Sequence, residues 1–242
     1  MAGHSKWANI QHRKKRQDAK RGKLFTKLIK EITVAAREGG GDAGSNPRLR
    51  LALDKAFSGN MNKDTVEKAI NRGTGNLEGA SYEEIRYEGY SSSGIAVIVD
   101  CVTDNKNRTV ADVRHAFSKY SGNMGSSGSV SYLFKNIGII TYYETNQAEE
   151  IIDLAIENNA IDIIQEDKYL EIHTDTKDYL SVIKVLKDNN FIFDSAELEM
   201  YAETKIQLDS ELAEIFLKFI DAIEELDDVQ NVYTNAEYPD NI

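Results

Sequence analysis

Residues 95–120 read IAVIVDCVTDNKNRTVADVRHAFSKY, which is one apolar run followed by one amphipathic run. The first five residues are apolar and mostly β-branched, which predicts a buried strand. Apolar residues then recur at three- and four-residue spacings, which predicts a helix; they are Val110, Val113, Ala116, Phe117 and Tyr120. A strand that leads into a helix occurs in both α/β and α+β domains. The order of the strands and helices on either side of it therefore decides between these two fold classes.

Downstream of this unit, strand-like and helix-like patterns alternate in mixed order. Strands are predicted at residues 130–134, 137–143, 161–165, 169–173, 196–202 and 229–233, and helices at 148–158, 179–186 and 210–226. The two strands on either side of residues 166–168 are a predicted hairpin.

The element count suggests how these parts combine. Residues 80–134 lack one helix and one strand of a four-stranded, two-helix sandwich, and the C-terminal helix and strand would supply them. We therefore predict an α+β fold with two small ferredoxin-like sandwiches after a helical bundle. One sandwich, residues 135–204, would be inserted into a split domain made of 76–134 and 205–242.

Residues 1–75 show only helical patterns, and we predict a basic helical domain there. Its first long helix ends at three consecutive glycines, which tolerate the left-handed cap conformation. Asn46 is the predicted N-cap of the next helix, with Pro47 in the first turn. Asp64 and Glu67 have the spacing of a capping box, which predicts a third, short helix.

The charge is strongly asymmetric along the chain. The first thirty residues contain ten Lys or Arg and one Asp, a charge of +9; because the whole chain carries −11, the remainder carries −20. Residues 1–75 contain seventeen basic and seven acidic residues, a charge of +10. Screened fields act over only ~8 Å at physiological salt, so a basic end can hold polyphosphate although the whole chain is acidic. This asymmetry predicts a nucleic-acid-binding arm on a body with another role.

Basic and aromatic residues of the arm form the candidate nucleic-acid footprint. Lys and Arg neutralise phosphates, and the single tryptophan, Trp7, offers a face for a base or a guanidinium. Trp7 could instead anchor the arm to the helical domain, and both alternatives stay open. The predicted contacts in this region are His4, Lys6, Trp7, His12, Arg13, Lys14, Lys15, Arg16, Lys20, Arg21, Lys23 and Lys27.

A second candidate contact lies in residues 103–109, where a strand ends and a helix begins. Lys106 and Arg108 would stand there beside free backbone N–H groups, an arrangement that binds anions. The alternative is simple capping of the helix by Asn107. The glycine-rich residues 122–129 lack the Lys-Ser/Thr ending of a phosphate-binding loop, so we expect a mobile connection.

Little in the sequence favours an enzyme. The four histidines are scattered and no metal-ligand spacing occurs. The single cysteine, Cys101, allows no disulfide within the chain and is typical of a reducing compartment such as the cytosol. No apolar run approaches the ~20 residues that span a bilayer. We therefore expect no cofactor, metal, catalytic residue or membrane partner; a hydrolase built from distant carboxylates is the remaining alternative.

Several motifs resemble those of the YebC/PmpR family over essentially the whole chain. They are AGHSKWANI at 2–10, KRGK at 20–23, NPRLR at 46–50, YEGY at 87–90, the segment 103–109 and GSV at 128–130. The resemblance implies three domains and a DNA-binding transcriptional regulator. Described relatives also activate translation of a cytochrome oxidase subunit in mitochondria, or help bacterial ribosomes through proline-containing stretches. Three turns depart from the family pattern, at Asp42-Ala43, at Asn62 and at residues 91–94, and none of them touches the arm.

The combined prediction is a cytoplasmic, non-enzymatic, nucleic-acid-binding regulator of gene expression, with DNA as the target that the resemblance implies. The alternative is a translation factor that contacts ribosomal RNA or tRNA in the ribosome. The sequence has no helix-turn-helix pattern that would read DNA bases, and contacts to the nucleic-acid backbone alone carry no sequence information. This favours the translation factor on physical grounds. The acidic α+β domains would position the arm or bind a protein partner.

Overall fold

The computed structural model describes residues 21–79, 81–166 and 168–239. Three helices come first, and they are α1 Arg21–Gly39, α2 Pro47–Ser58 and α3 Lys63–Gly73. α1 packs against both of the others, and the core that they share contains Leu28, Ile32, Leu49, Ala52 and Val66. These apolar residues recur at helical spacing, so one face of each helix is buried in this small bundle.

Asparagine side chains fix the starts of the two shorter helices. Asn46 is the N-cap of α2, as predicted, and its Oδ1 accepts a hydrogen bond from the Leu49 N–H at 3.0 Å. The prediction that Asp64 caps α3 is wrong. The cap is Asn62, whose Oδ1 accepts from the Asp64 N–H at 2.9 Å. Both side chains suit a cap, and the helix begins earlier than the capping-box spacing indicated.

Ten strands and four further helices follow within the described residues. The strands are β1 Glu83–Tyr90, β2 Ala96–Thr103, β3 Asn123–Met124, β4 Phe134–Tyr143, β5 Ala160–Glu166, β6 Tyr169–Asp175, β7 Ser195–Ala202, β8 Ile206–Gln207, β9 Val229–Thr234 and β10 Ala236–Glu237. The helices are α4 Lys106–Lys119, α5 Ala148–Glu157, α6 Tyr179–Asp188 and α7 Ser210–Glu224. Helices followed by antiparallel sheets confirm the predicted α+β fold class.

The first sheet has the strand order β3-β1-β2-β9, and each neighbouring pair is antiparallel. α4 and α7 cover one face of it, where Val97 and Val99 lie in a core with Phe117 and Phe219. The two phenylalanine rings pack edge to face with their centroids 5.1 Å apart. Because β9 pairs with β2 and α7 packs on the same sheet, the C-terminal helix and strand lie together with β1 and β2.

The second sheet has the order β5-β6-β4-β7 and is antiparallel throughout. The predicted hairpin is confirmed as the β5–β6 pair. α5 and α6 cover one face, and the side chains of Ile140 and Ile172 are fully buried there. Ala96 and Ile98 on the other face of β2 pack against Phe134 and Ala202, which joins the two sheets. The domain boundaries given above stay a prediction.

The predicted strand at residues 130–134 is wrong. The Val130 and Ser131 N–H groups each donate to the Glu88 carboxylate at 2.8 Å, so they are not available to a strand ladder. A 3-10 turn spans Ser131–Leu133, and β4 begins at Phe134. The Gly128 N–H donates to the same carboxylate at 2.8 Å, so the glycine-rich connection expected to be mobile is anchored at its end.

Candidate nucleic-acid interface

Most of the predicted footprint lies outside the described residues. This applies to His4, Lys6, Trp7, His12, Arg13, Lys14, Lys15, Arg16 and Lys20, and to the side chain of Arg21. Their roles stay predictions. The structure describes the helix that continues the arm, α1, and the two cations of the 103–109 segment.

Three lysines of α1 form a stripe along one side of the helix. Lys23 Nζ donates to the Glu225 carbonyl oxygen at 2.6 Å, and Lys27 Nζ donates to that of Gln230 at 3.4 Å. Lys30 Nζ donates to the Asp227 carbonyl at 2.8 Å. The spacing of four and three residues places all three on one face. The stripe therefore fixes α1 to the turn between α7 and β9.

Electrostatics explains why lysines suit this turn. The last carbonyl groups of α7 have no partner within the helix and carry the negative end of its dipole. The sequence from Glu224 to Asp228 adds four carboxylates. Cations on a neighbouring helix satisfy the carbonyls and offset the negative charge. Two of the predicted phosphate contacts, Lys23 and Lys27, thus already bind this chain's own backbone.

Asp228 is the buried centre of this contact. Its carboxylate accepts from Lys30 Nζ at 2.8 Å, from Thr103 Oγ1 at 3.0 Å and from Thr109 Oγ1 at 2.8 Å. The side chains of Lys30 and Asp228 are each only 8% exposed. Burial by itself raises the pKa of Asp228, but the donors led by Lys30 and Arg108 outweigh it and lower the pKa to about 2. Asp228 therefore stays ionised at any physiological pH.

The two cations of the 103–109 segment are also bound within the chain. Lys106 Nζ lies 2.5 Å from a Glu83 carboxylate oxygen, and Arg108 donates to Asp104 at 2.9 Å and to Asp228 at 2.8 Å. These two carboxylates raise the pKa of the Arg108 guanidinium. Asn105 caps α4, since its Oδ1 accepts from the Arg108 N–H at 3.1 Å, so the expectation that Asn107 is the cap is wrong.

An open cleft of about 270 Å³ lies beside Arg108. Its walls include the carboxylates of Asp112, Glu225, Asp227 and Asp228, which would repel a phosphate. Its one cation, Arg108, is neutralised by Asp104 and Asp228. The helix N-terminus predicted to bind an anion is thus surrounded by negative charge in this structure, and its anion-binding role stays a prediction.

A second ion-pair cluster fixes the helices to the first sheet. The Arg48 guanidinium contacts Glu31 at 2.8 Å, Glu38 at 2.7 Å and Glu84 at 2.5 Å. Burial lowers the pKa of Arg48, and the hydrogen bonds to Glu84 and Glu31 more than reverse this effect. Arg37 of α1 donates to the Tyr82 carbonyl nearby. The helical bundle is therefore held to β1 as well as to the α7–β9 turn.

Some basic side chains of the helical region remain exposed. In the part of the chain that the structure describes, no ion pair is formed by Arg50, Lys63, Lys68 or Arg72. Lys68 and Arg72 are four residues apart on α3 and share a face. These residues contribute to the +10 charge of residues 1–75, but the mixed charges on α2 and α3 form no distinct basic run that would identify them from the sequence.

Three observations on the described residues concern groups that often take part in catalysis. No group of three or more His, Cys, Asp or Glu side chains among them could hold a metal ion. Cys101 is 2% exposed, and burial raises its pKa to about 12, so it is a protonated thiol and a poor nucleophile. Tyr169, Glu171 and His173 form a hydrogen-bonded trio on β6, but all three are buried. None of the helices described is long and apolar enough to cross a membrane.

Sequence comparison connects this architecture to known proteins. Residues 5–76 match the N-terminal domain of the TACO1/YebC proteins, and residues 82–236 match the TACO1/YebC second and third domain. The chain belongs to the TACO1/YebC family.

Relatives and a solved structure agree with this membership. A protein from Nitrosococcus oceani named "Probable transcriptional regulatory protein" is 55% identical over all of this chain and 98% of its own length. A Coxiella burnetii protein with the same name is 54% identical over all of both chains. The crystal structure of a conserved hypothetical protein from Aquifex aeolicus is similar with a TM-score of 0.82 at 43% identity, covering 92% of each chain. These two relatives are thus named as probable regulators of transcription.

Proposed function

We propose that this chain is a non-enzymatic, cytoplasmic regulator of gene expression that binds nucleic acid through its N-terminal basic arm. The observation that carries the proposal is the charge of +9 in the first thirty residues, set against −20 in the rest. Such a segment neutralises phosphates and releases counterions, whereas the acidic body is repelled. The names of the relatives support a regulator of transcription, and DNA is then the first candidate target.

The docking of α1 supports the arm as the contact surface. Lys23, in the first turn of α1, donates to the α7–β9 turn, and Lys30 is buried about two helical turns later. The chain before residue 21 is therefore attached to a fixed point on the body. Six cations precede that point: Lys6, Arg13, Lys14, Lys15, Arg16 and Lys20. A basic segment on a rigid root is well suited to hold a phosphate backbone.

A specific observation favours a second candidate, a translation factor that contacts ribosomal RNA or tRNA. A recognition helix needs side chains that reach base edges in the major groove. The α1 cations whose side chains are described, Lys23, Lys27, Lys30 and Arg37, each donate to another part of this chain. The described side chains of α1 therefore include none of the free cations of a recognition helix, and binding through backbone and shape is typical of structured RNA.

A charge reversal in the arm tests the proposal. Changing Arg13, Lys14, Lys15 and Arg16 to Glu should abolish binding to a labelled duplex DNA and to a structured RNA, because the footprint changes from attraction to repulsion. Fluorescence anisotropy at about 50 mM salt measures the affinity. Thermal unfolding should stay close to that of the parent, since this run has no apolar face to contribute to a core.

A matched control places the same charge change on the body. The control replaces four exposed cations of the α+β part by Glu: Arg114, Lys119, Lys184 and Lys218. It has the same net charge as the arm variant and should bind like the parent. An arm variant that binds with parent affinity, or a control that loses binding equally, would contradict the arm as the footprint.

A further inference from the structure

Residues 120–134 are the longest stretch of the chain without a charged side chain. Fifteen consecutive positions are uncharged, and Lys119 and Lys135 bound them. In this chain 29% of residues are charged, and the charge beyond residue 30 sums to −20. This stretch therefore adds no negative charge of its own to the repulsion of a polyanion by the acidic body.

Tyr132 is the most exposed aromatic residue of this stretch. Its relative exposure is 72%, although it lies between residues that are almost fully buried. Val130 is 0% exposed and Phe134 is 7% exposed, and both pack in the core between the two sheets. The Tyr132 ring is thus held at the surface by a turn whose neighbours are anchored inside.

The turn that carries Tyr132 is held rigidly by Glu88. The Glu88 side chain is buried, and its carboxylate accepts from the N–H groups of Gly128, Val130 and Ser131, each at 2.8 Å. Burial alone raises the pKa of Glu88, but these three donors outweigh it and lower the pKa, so the clamp stays ionised. A ring that is already ordered loses little conformational entropy when a ligand stacks on it.

A second tyrosine adds to this surface. The Tyr90 hydroxyl lies 3.5 Å from that of Tyr132 and donates to the Ser129 carbonyl at 3.2 Å. The two rings therefore meet at their polar edges, and the Tyr132 ring remains 72% exposed. The loop that leads to this turn, residues 125–128, contains only glycine and serine.

This surface is distant from the root of the arm. β1 and β2 pair so that Tyr90 lies opposite Ala96 and Glu83 opposite Thr103. Thr103 contacts Asp228 beneath α1, whereas Tyr90 contacts the Tyr132 turn. The two places are at opposite ends of an eight-residue strand, about 23 Å apart at ~3.3 Å per residue. A ligand that reaches both must extend over several nucleotides.

We propose that Tyr132 is a stacking platform for an unpaired nucleobase, and that it forms a second nucleic-acid contact besides the arm. Every base has an aromatic face, so such a platform accepts single-stranded segments with little sequence preference. Bases inside a duplex are already stacked and do not reach it. The inference rests on the proposed function, because the arm supplies the phosphate attraction that the neutral loop lacks.

The test compares two labelled twelve-nucleotide single strands, one of adenosines and one of abasic residues with the same phosphates. The full-length chain and its Tyr132→Ala and Tyr132→Phe variants are titrated by fluorescence anisotropy. The Ala variant should bind the adenosine strand on the order of tenfold more weakly, by the usual contribution of one stacked base. It should bind the abasic strand like the parent, and the Phe variant should match the parent on both. Adenosine strands of RNA and of DNA, run in parallel, show whether the sugar contributes.

Each outcome separates the platform from the arm. An Ala variant that binds the adenosine strand like the parent overturns the platform, and the arm proposal stands if the four-cation variant still loses both strands. An equal loss on both strands also overturns it, because stacking cannot act on an abasic strand. A parent that binds neither single strand overturns the platform alone, because the arm proposal is tested separately with duplex DNA and structured RNA. Since Tyr132 is exposed, unchanged thermal unfolding confirms that the Ala variant is folded.

Discussion

Replacing Lys30 by methionine removes one of the donors that hold Asp228 in the interior. The methionine keeps most of the apolar stem but loses the bonds to the Asp228 carboxylate and to the Val102 and Asp227 carbonyls. Breaking a buried ion pair by removing one partner costs about 3–5 kcal/mol of unfolding free energy. Because Arg108 and two threonines still bind Asp228, we expect a loss near the lower end, about 3 kcal/mol.

The pH dependence of stability reports the net effect of burial and of all the donors to Asp228, led by Lys30 and Arg108. Asp228 has a folded-state pKa of about 2, lowered from 3.8. A lowered carboxyl pKa stabilises the fold fully above pH 3.8, and this stabilisation is lost as the pH falls through about 2. The shift corresponds to about 2 kcal/mol, at ~1.4 kcal/mol per pKa unit. The variant Asp228→Asn should lack this part of the acid sensitivity.

Urea unfolding followed by circular dichroism measures these changes. The parent, Lys30→Met, Asp228→Asn and the double variant form a double-mutant cycle, in which a coupling of about 1 kcal/mol or more is expected. Lys55→Met is the control, because the Lys55–Glu197 pair is exposed, with side chains 50% and 33% accessible, and should contribute under about 1 kcal/mol. A Lys30→Met loss no greater than that of the control would refute the buried-pair reasoning.

Two further predictions concern the body of the protein. Deleting residues 135–204 and joining the ends with a short Gly/Ser bridge should leave the first sheet, α4 and α7 folded, because these elements lie outside the deleted range; loss of all secondary structure by circular dichroism, or rapid proteolysis throughout, would count against the split domain. Cys101 should react with a thiol reagent only after unfolding, because it is 2% exposed with a pKa of about 12; rapid labelling of the native chain would show that this core opens.

Local patterns were sufficient for most helices and buried strands. Apolar periodicity predicted α1 and α7, and the β-branched run at 95–99 predicted the core of β2. Sequence patterns predicted no strand at β1, because its sequence, EEIRYEGY, mixes charged and apolar residues. Its partners explain this: Arg86 pairs with Asp100 across the sheet and Glu88 binds the Tyr132 turn, so its polar residues have internal acceptors or donors. These pairings join residues that are far apart in the sequence, so a short stretch of sequence does not reveal them.

Contacts between residues that are distant in the sequence also decide which predicted site residues are free to bind a ligand. Lys23 and Lys27 were predicted to bind phosphate from their charge, and Arg108 from its charge and its place at the start of a helix. Their contacts in the structure are Glu225, Gln230 and Asp228, which lie 120 to 203 residues away in the sequence. Charge density identifies where cations are concentrated, but only the fold shows which of them are neutralised within the chain. For the arm before residue 21, the prediction of phosphate binding still rests on its net charge, which is counted from the sequence.

If the basic arm holds nucleic acid through phosphate contacts, a salt titration of Trp7 fluorescence should reveal those contacts. Trp7 is the only tryptophan and lies within the arm sequence, so its signal reports that segment. If about five arm cations engage duplex DNA, the log–log slope of affinity against salt should be about −4.5, at ~0.9 per phosphate. Affinity should then fall by roughly two to three decades between about 50 and 200 mM salt.

The same titration with ribosomes distinguishes the two candidate targets. Structured RNA adds shape-specific contacts, so the chain should stay bound to ribosomes at salt concentrations that release it from duplex DNA. The four-cation variant should lose the steep salt dependence with either ligand. A parent whose Trp7 signal responds to neither duplex DNA nor ribosomes, or responds with a slope near zero, would contradict the account.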